Sequence, residues 1–140
     1  MRIVADTNTA ISGLLWEGAP RRLMNACRKQ KLIIITSPAL LAELAEVLAR
    51  DKFAARIARA GLSARVLLED YAGIVHVVEP DPLPVPVSRD PDDDEVLACA
   101  MTAKVEAMVS GDADLLGLGS YHGIPILTAK QVLDRIKTEL

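Results

Sequence analysis

LIIITSPALLAEL, residues 32–44, compresses a strand, a turn and the opening of a helix into one short stretch. Leu32 to Thr36 is a brief, continuously apolar run, the pattern of a strand hidden on both faces. Ser37-Pro38 then supplies a capping hydroxyl and a proline whose fixed φ suits the first helical position. Leu40, Leu41, Leu44, Val47 and Leu48 recur at helical spacing and form an inward face. A strand buried on both sides needs cover on both sides, and a helix that follows it directly is the usual means. Glu43 and Glu46 interrupt this segment and are left to be explained.

The same alternation continues in both directions. RIVAD, 2–6, reads as a first strand, and Ile11, Leu14 and Leu15 carry a helical pattern as far as Gly18. Pro20 opens another helix, with Leu23, Met24 and Cys27 on one face. From Lys52 to Ala72 the pattern stays helical, broken at Gly61, with Ser63 as a new cap. IVHVV, 74–78, alternates like a strand, and the proline-rich EPDPLPVPVSRDP, 79–91, reads as an extended loop. Val96, Leu97, Ala100 and Met101 mark one helical face; AMVSGD, 107–112, is a strand and turn; IPIL, 124–127, is the last strand. Thr128 and Gln131 make a capping box for a final helix through Val132, Leu133 and Ile136. These readings predict one α/β domain over residues 1–140. Its architecture is a three-layer sandwich around a mostly parallel sheet of about five strands.

Composition narrows the class. Of 140 residues, 51% are apolar and only 3% aromatic, so the core is aliphatic. No apolar run reaches the roughly 18 residues of a membrane span, and the N-terminus lacks the apolar segment of a signal peptide. A cytoplasmic protein with no membrane association is expected. Cys27 and Cys99 sit in apolar helical patterns and read as buried thiols. His76, in a strand pattern, and His122, in a Gly-rich turn, read as structural. Charge is unevenly spread: ten Lys/Arg against three acids between Arg21 and Arg65, and six against sixteen elsewhere. Such asymmetry marks either a polyanion-binding face beside an acidic pocket or long helices carrying Arg on their wet sides.

The acids carry the chemistry. In parallel α/β sheets ligands sit at the carboxyl ends of strands. Asp6 ends the first strand, Asp112 follows the 107–109 strand, and DPDDDEVLACA, 90–100, begins a helix near the same edge. Each acid has an ordinary role available. Asp6 can cap a helix, Glu43 can be an exposed helix residue, and Asp112 and Asp114 can form an Asx turn. The five carboxylates of residues 90–95 cannot all enter one pocket, so most are solvated or bound to free helix N–H groups. Gathered together without a cation, however, carboxylates repel and raise one another's pKa values. Bound Mg²⁺ or Mn²⁺ relieves that repulsion, and oxygen ligands suit these hard cations.

DTN at 6–8, SPALLAEL at 37–44, DPDDDEVLACA at 90–100 and SGDADLL at 110–116 together resemble the PIN-domain family. That family comprises metal-dependent ribonucleases, among them toxins of type II toxin–antitoxin pairs. The likeness is nearest to a toxin-component subgroup whose DTN is followed by a SALL-like segment, here AISGLLWEG. It runs from Arg2 to the final strand. The resemblance implies Asp6, Glu43, Asp93 and Asp112 as catalytic acids, with Asp6, Asp93 and Asp112 on the metal. Alignment on the apolar helix selects Asp93 as the third acid, whereas spacing from Asp112 selects Asp94. Asn8, Asp90, Asp94, Ser110 and Asp114 are supporting candidates. The implied reaction is attack of metal-activated water on an RNA phosphodiester, with Mg²⁺ or Mn²⁺ as cofactor. Arg21, Arg22, Arg28, Lys29, Arg50 and Lys52 are then candidate RNA-facing cations. A cognate antitoxin and a homodimer are the implied partners.

Two other readings stand beside it. One keeps the fold as an inactive RNA- or partner-binding module. The other is a receiver-type signalling domain, which also has an acidic Mg²⁺ pocket. Against the receiver, the first strand ends in one Asp rather than a pair, IVHVV has no Asp after it, and the last strand lacks Lys-Pro.

Overall fold

Backbone N–H and C=O groups of apolar strands must pair with one another once water is excluded. In the computed structural model, which describes residues 1–139, they do so in one six-stranded sheet. In chain order its strands are β1 (Arg2–Ala5), β2 (Ile33–Thr36), β3 (His76–Val77), β4 (Ala107–Val109), β5 (Ser120–Tyr121) and β6 (Ile124–Leu127). Their spatial order is β3-β2-β1-β4-β6-β5, parallel throughout except for the β5–β6 pair. The helices are α1 (Thr7–Leu15), α2 (Ala19–Arg28), α3 (Pro38–Leu48), α4 (Asp51–Arg59), α5 (Ala64–Ile74), α6 (Pro91–Ala103), α7 (Ala113–Leu118) and α8 (Ala129–Glu139). The three-layer α/β sandwich expected from the sequence is present, with two differences. The third strand is only two residues long, because α5 runs through Ile74. A sixth strand, β5, joins β6 across His122-Gly123, whose φ values of 49° and 81° form the two-residue turn that a twisted hairpin favours.

Period-two alternation sends neighbouring side chains into different cores. Ile3, Ala5, Ile34, Ala107 and Val109 face a core shared with helical residues such as Leu14, Leu23, Leu44, Leu67 and Val132. Val4, Ile35, Met108 and Ile126 face the opposite core, built by Val96, Leu97, Cys99, Ala100 and Leu115. Cys27 and Cys99 are buried free thiols, as expected. Among the described residues no helix is long and apolar enough to cross a membrane.

Strand order positions the site. From β1 the chain steps to β2 and β3, then crosses back to lay β4 on the other side of β1. That reversal opens a crevice at the carboxyl ends of β1 and β4. Its wall depends on how closely α1 meets α2. A Cβ at Gly13 would lie 2.5 Å from Met24 Sδ and 3.0 Å from the Pro20 carbonyl oxygen, so a larger residue requires Met24 to turn aside and α2 to give slightly. Alanine would gain about 1 kcal/mol of helix propensity, against the ~1–3 kcal/mol typical of overpacking. Gly13→Ala is therefore expected to destabilise the fold by ~1 kcal/mol, read as a lower urea midpoint; a raised midpoint would show that α2 moves away freely.

Candidate active site

β1 ends one residue before Asp6, which takes an extended conformation and caps α1. Its backbone N–H donates to the Val109 carbonyl, continuing the β1–β4 ladder at 3.0 Å. One carboxylate oxygen accepts from Thr9 N–H at 2.8 Å, and the other accepts the Ser110 hydroxyl at 2.5 Å. Asp6 is thus both a cap and a site-facing acid. Ser110 is almost fully buried, and its hydroxyl oxygen also accepts from Asp112 N–H at 2.9 Å. A single hydroxyl therefore ties the end of β1 to the turn after β4. Asp112 in turn caps α7 by accepting from Asp114 N–H at 3.1 Å.

The acidic start of α6 sorts its carboxylates by direction. Successive helical residues point about 100° apart, so Asp93 and Asp94 cannot share one target. Asp94 accepts from the Val87 and Ser88 amides, the latter at 2.7 Å, and fastens the proline-rich loop. Asp93 is buried and turns inward, receiving the Ser88 hydroxyl at 3.2 Å. Asp90 caps the helix through Asp92 N–H at 2.9 Å. Ser88 was not visible as a site residue in the sequence. Its only signal is a hydroxyl two positions before a capping Asp, which is common in loops.

These elements meet at a cavity of about 50 Å³ lined by Asp6, Thr7, Asn8, Glu43, Asp90, Asp92, Asp93, Val96 and Asp112. That volume suits an ion with a few waters and excludes a nucleotide. The cavity gathers all four acids named from the sequence, together with Asn8 and Asp90. Asp94 and Asp114 lie outside its lining. Burial raises Asp93 to about 6; the Ser88 hydrogen bond opposes the rise, and Asp90, Asp112 and Asp6 reinforce it. Glu43, half buried, is also raised by burial; Thr7 partly offsets this, and Asp92, Asp90 and Asp6 add to it. Asp92 is raised by burial and by Asp90 and Glu46, with Arg50 pulling the other way.

A hard cation fits this donor set. Every ionisable group lining the cavity is a carboxylate, and the buried Thr7 hydroxyl oxygen beside them has no well-formed hydrogen bond. Among the described residues no three His, Cys, Asp or Glu side chains already converge on one ligating point. Mg²⁺ does not require such convergence, because it keeps several waters and is held through one or two carboxylates.

The basic stretch behaves differently. Arg21 donates to the Gly13 and Leu14 carbonyls at 3.1 and 2.9 Å, closing the end of α1. Arg28 forms a forked pair with Asp70, Arg50 pairs with Glu46 at 3.7 Å, and Lys52 lies over the Phe53 ring. Arg22 and Lys29 are exposed. None of the six lines the acidic cavity.

An acid whose native pKa exceeds its unfolded value binds its proton more tightly when folded. Its contribution to stability is then largest at low pH and is lost as pH rises through the native value. For Asp93 the window runs from 3.8 to about 6. Cation-free protein is expected to lose stability across that window, and Asp93→Asn to lose less of it. Urea midpoints measured at several pH values check this; identical slopes for the two proteins would remove Asp93 as the source.

Comparison with known proteins agrees with this geometry. Residues 2–114 match the family model described as PIN domain. An uncharacterized protein of Methanocaldococcus jannaschii, MJ1680, is 25% identical over 119 residues, covering 84% of this chain and 75% of its own length. A chain in the crystal structure of VapBC2 from Rickettsia felis bound to a DNA fragment from its promoter superposes with a TM-score of 0.58. That match covers 90% of this chain and 97% of the other at 10% identity, a likeness of fold. With the family model spanning most of the sequence and the four acids facing one cavity at the β1–β4 crevice, the chain belongs to the PIN-domain family.

Proposed function

We propose that this protein is a metal-dependent endoribonuclease acting as the toxin of a toxin–antitoxin pair. The observation that carries the reading is the convergence of Asp6, Glu43, Asp93 and Asp112 on one small, wholly acidic cavity. Family membership and the VapBC-type neighbour support it. Asp6, Asp93 and Asp112 would hold the cation, Mg²⁺ or Mn²⁺. When bound, that ion supplies a Lewis acid for a phosphoryl oxygen and lowers the pKa of water.

The chain's own residues supply the rest. Burial makes Glu43 a stronger proton acceptor than a solvated glutamate, suiting it to take the proton from water attacking phosphorus. Ser110 and Ser88 fix the carboxylate planes of Asp6 and Asp93 through their hydroxyls. Outer partners of this kind typically change metal affinity or activity about 10–100-fold. The Asn8 amide, exposed at the rim, can donate to a phosphate oxygen. An antitoxin partner, a homodimer and a cytoplasmic location belong to the same proposal, the first supported by the VapBC2 complex to which the fold is similar.

The deciding experiment is cleavage of a labelled mixed RNA pool with Mg²⁺, Mn²⁺ or EDTA, wild type beside Asp6→Asn. Cleavage that needs the metal and drops by roughly 100-fold or more in the variant is expected, since a metal's charge stabilisation is worth several kcal/mol. Metal binding without cleavage in wild type would reduce the protein to a binding module. Failure to bind metal would overturn the reading.

A further inference from the structure

We infer that single-stranded RNA enters along a second cavity beside the acidic one, with Lys130 holding a phosphate next to the cut; this rests on the nuclease reading above. The cavity has a volume of about 480 Å³ and shares Asn8 and Asp112 with the acidic pocket. From that junction it runs past Ser12, Ser110 and Thr128 to Lys130 at the start of α8. The acidic pocket has room only for an ion and a few waters, whereas this one lies in the ~300–1,000 Å³ range of ligand sites.

Its lining selects a class of ligand. Apart from Pro20, Asp112 and Lys130 the lining residues are small, hydroxylic or amide-bearing, and none is aromatic or a large aliphatic. Such a surface offers no aromatic ring on which a base could stack. It can accept and donate hydrogen bonds to sugar hydroxyls and phosphate oxygens, contacts that position a strand without reading its sequence. Charge is graded along it. Asp112 is the carboxylate at the junction, and Lys130 is the one cation of the lining. A scissile phosphate drawn to a cation held by the acids would place the adjoining nucleotide in this cavity and its phosphate near the ammonium group.

The alternative path, over the basic stretch 21–65, is weakened by what its arginines already do. Arg21 closes α1, Arg28 is paired with Asp70, and Arg56 donates to the Leu15 carbonyl while stacking on Trp16. Lys130 is exposed and, among the described residues, its side chain has no ion pair.

The test measures KM and kcat for cleavage, and equilibrium binding, of a labelled single-stranded oligoribonucleotide across a salt series. The proteins are wild type, Lys130→Ala, Lys130→Glu, Lys130→Arg and, as a charge control on the same helix, Lys137→Ala. Expected are a roughly tenfold rise in KM for Lys130→Ala, a larger rise for Lys130→Glu and near-normal KM for Lys130→Arg, with kcat within about twofold. The log–log salt slope should fall by about one for Lys130→Ala and stay unchanged for Lys137→Ala. If wild type cuts RNA in a metal-dependent way and Lys130→Ala and Lys130→Glu match it, the groove assignment is wrong and the nuclease reading stands. Equal losses for Lys130→Ala and Lys137→Ala would also overturn it, as an effect of net charge. A wild type that neither binds nor cuts the oligoribonucleotide would overturn both.

Discussion

Mutual repulsion among carboxylates is the constraint around which this molecule is organised. Six of them line a cavity with no Lys or Arg in its lining. What offsets the repulsion in the protein itself is the backbone. Asp6, Asp90 and Asp112 are the N-caps of α1, α6 and α7, so three helix N-termini reach the same small volume. Each brings unsatisfied N–H groups and a partial positive charge, worth about 0.3–1 kcal/mol per carboxylate. Capping and site formation are therefore one arrangement. The cap uses one carboxylate oxygen, as with Asp6 and Thr9, and leaves the other facing inward.

Parallel pairing makes that convergence unavoidable. When strands run the same way, every helix that follows a strand begins at the same edge of the sheet. Here α1 follows β1 and α7 follows β4, its neighbour in the sheet. α6 reaches the edge from the other face, because its apolar side, Val96, Leu97 and Ala100, packs on Val4 and Met108. The proline-rich loop completes the assembly by donating backbone amides to Asp94 and the Ser88 hydroxyl to Asp93. Prolines suit such a loop because they stiffen the segment while leaving a few N–H groups free for the acids.

What was legible in the sequence follows from range. Strands and helices set by local periodicity, such as 32–48, appear as read. The acids at strand ends were legible because chain direction alone fixes their edge. IVHVV misled because alternation in 74–78 competes with the apolar face of α5, and a helix long enough to bury Leu67 and Tyr71 carries Ile74 with it. The β5 strand was invisible because two residues show no period; only the turn residues His122-Gly123 hint at a hairpin. Glu43 looked like a surface glutamate until α3 packed beside α1, and only family likeness singled it out. Asp93 and Asp94 are adjacent in sequence and differ by a rotation about the helix axis, which periodicity fixes only once the buried face is known. The partners of Arg21 and Arg28, the Gly13 and Leu14 carbonyls and Asp70, could not be read from the sequence because they are set by tertiary packing.

A polyanion cannot approach such a cavity unaided. On the proposed reading, the acids that make the site also repel its substrate, and the arginines that would have compensated are largely engaged elsewhere. On that reading counter-charge would arrive with the cation, coupling occupancy by the ion to affinity for RNA. By linkage that coupling is reciprocal: RNA tightens the ion as much as the ion tightens RNA. Asp93, raised to about 6 by burial, would then set the conditions under which that coupling operates. On the same reading, below about 6 its proton would compete with the cation, leaving the site better folded but less able to recruit one. Stability of the empty protein and readiness of the site therefore pull in opposite directions with pH, and both effects trace to the one buried carboxylate that the Ser88 hydroxyl holds in place.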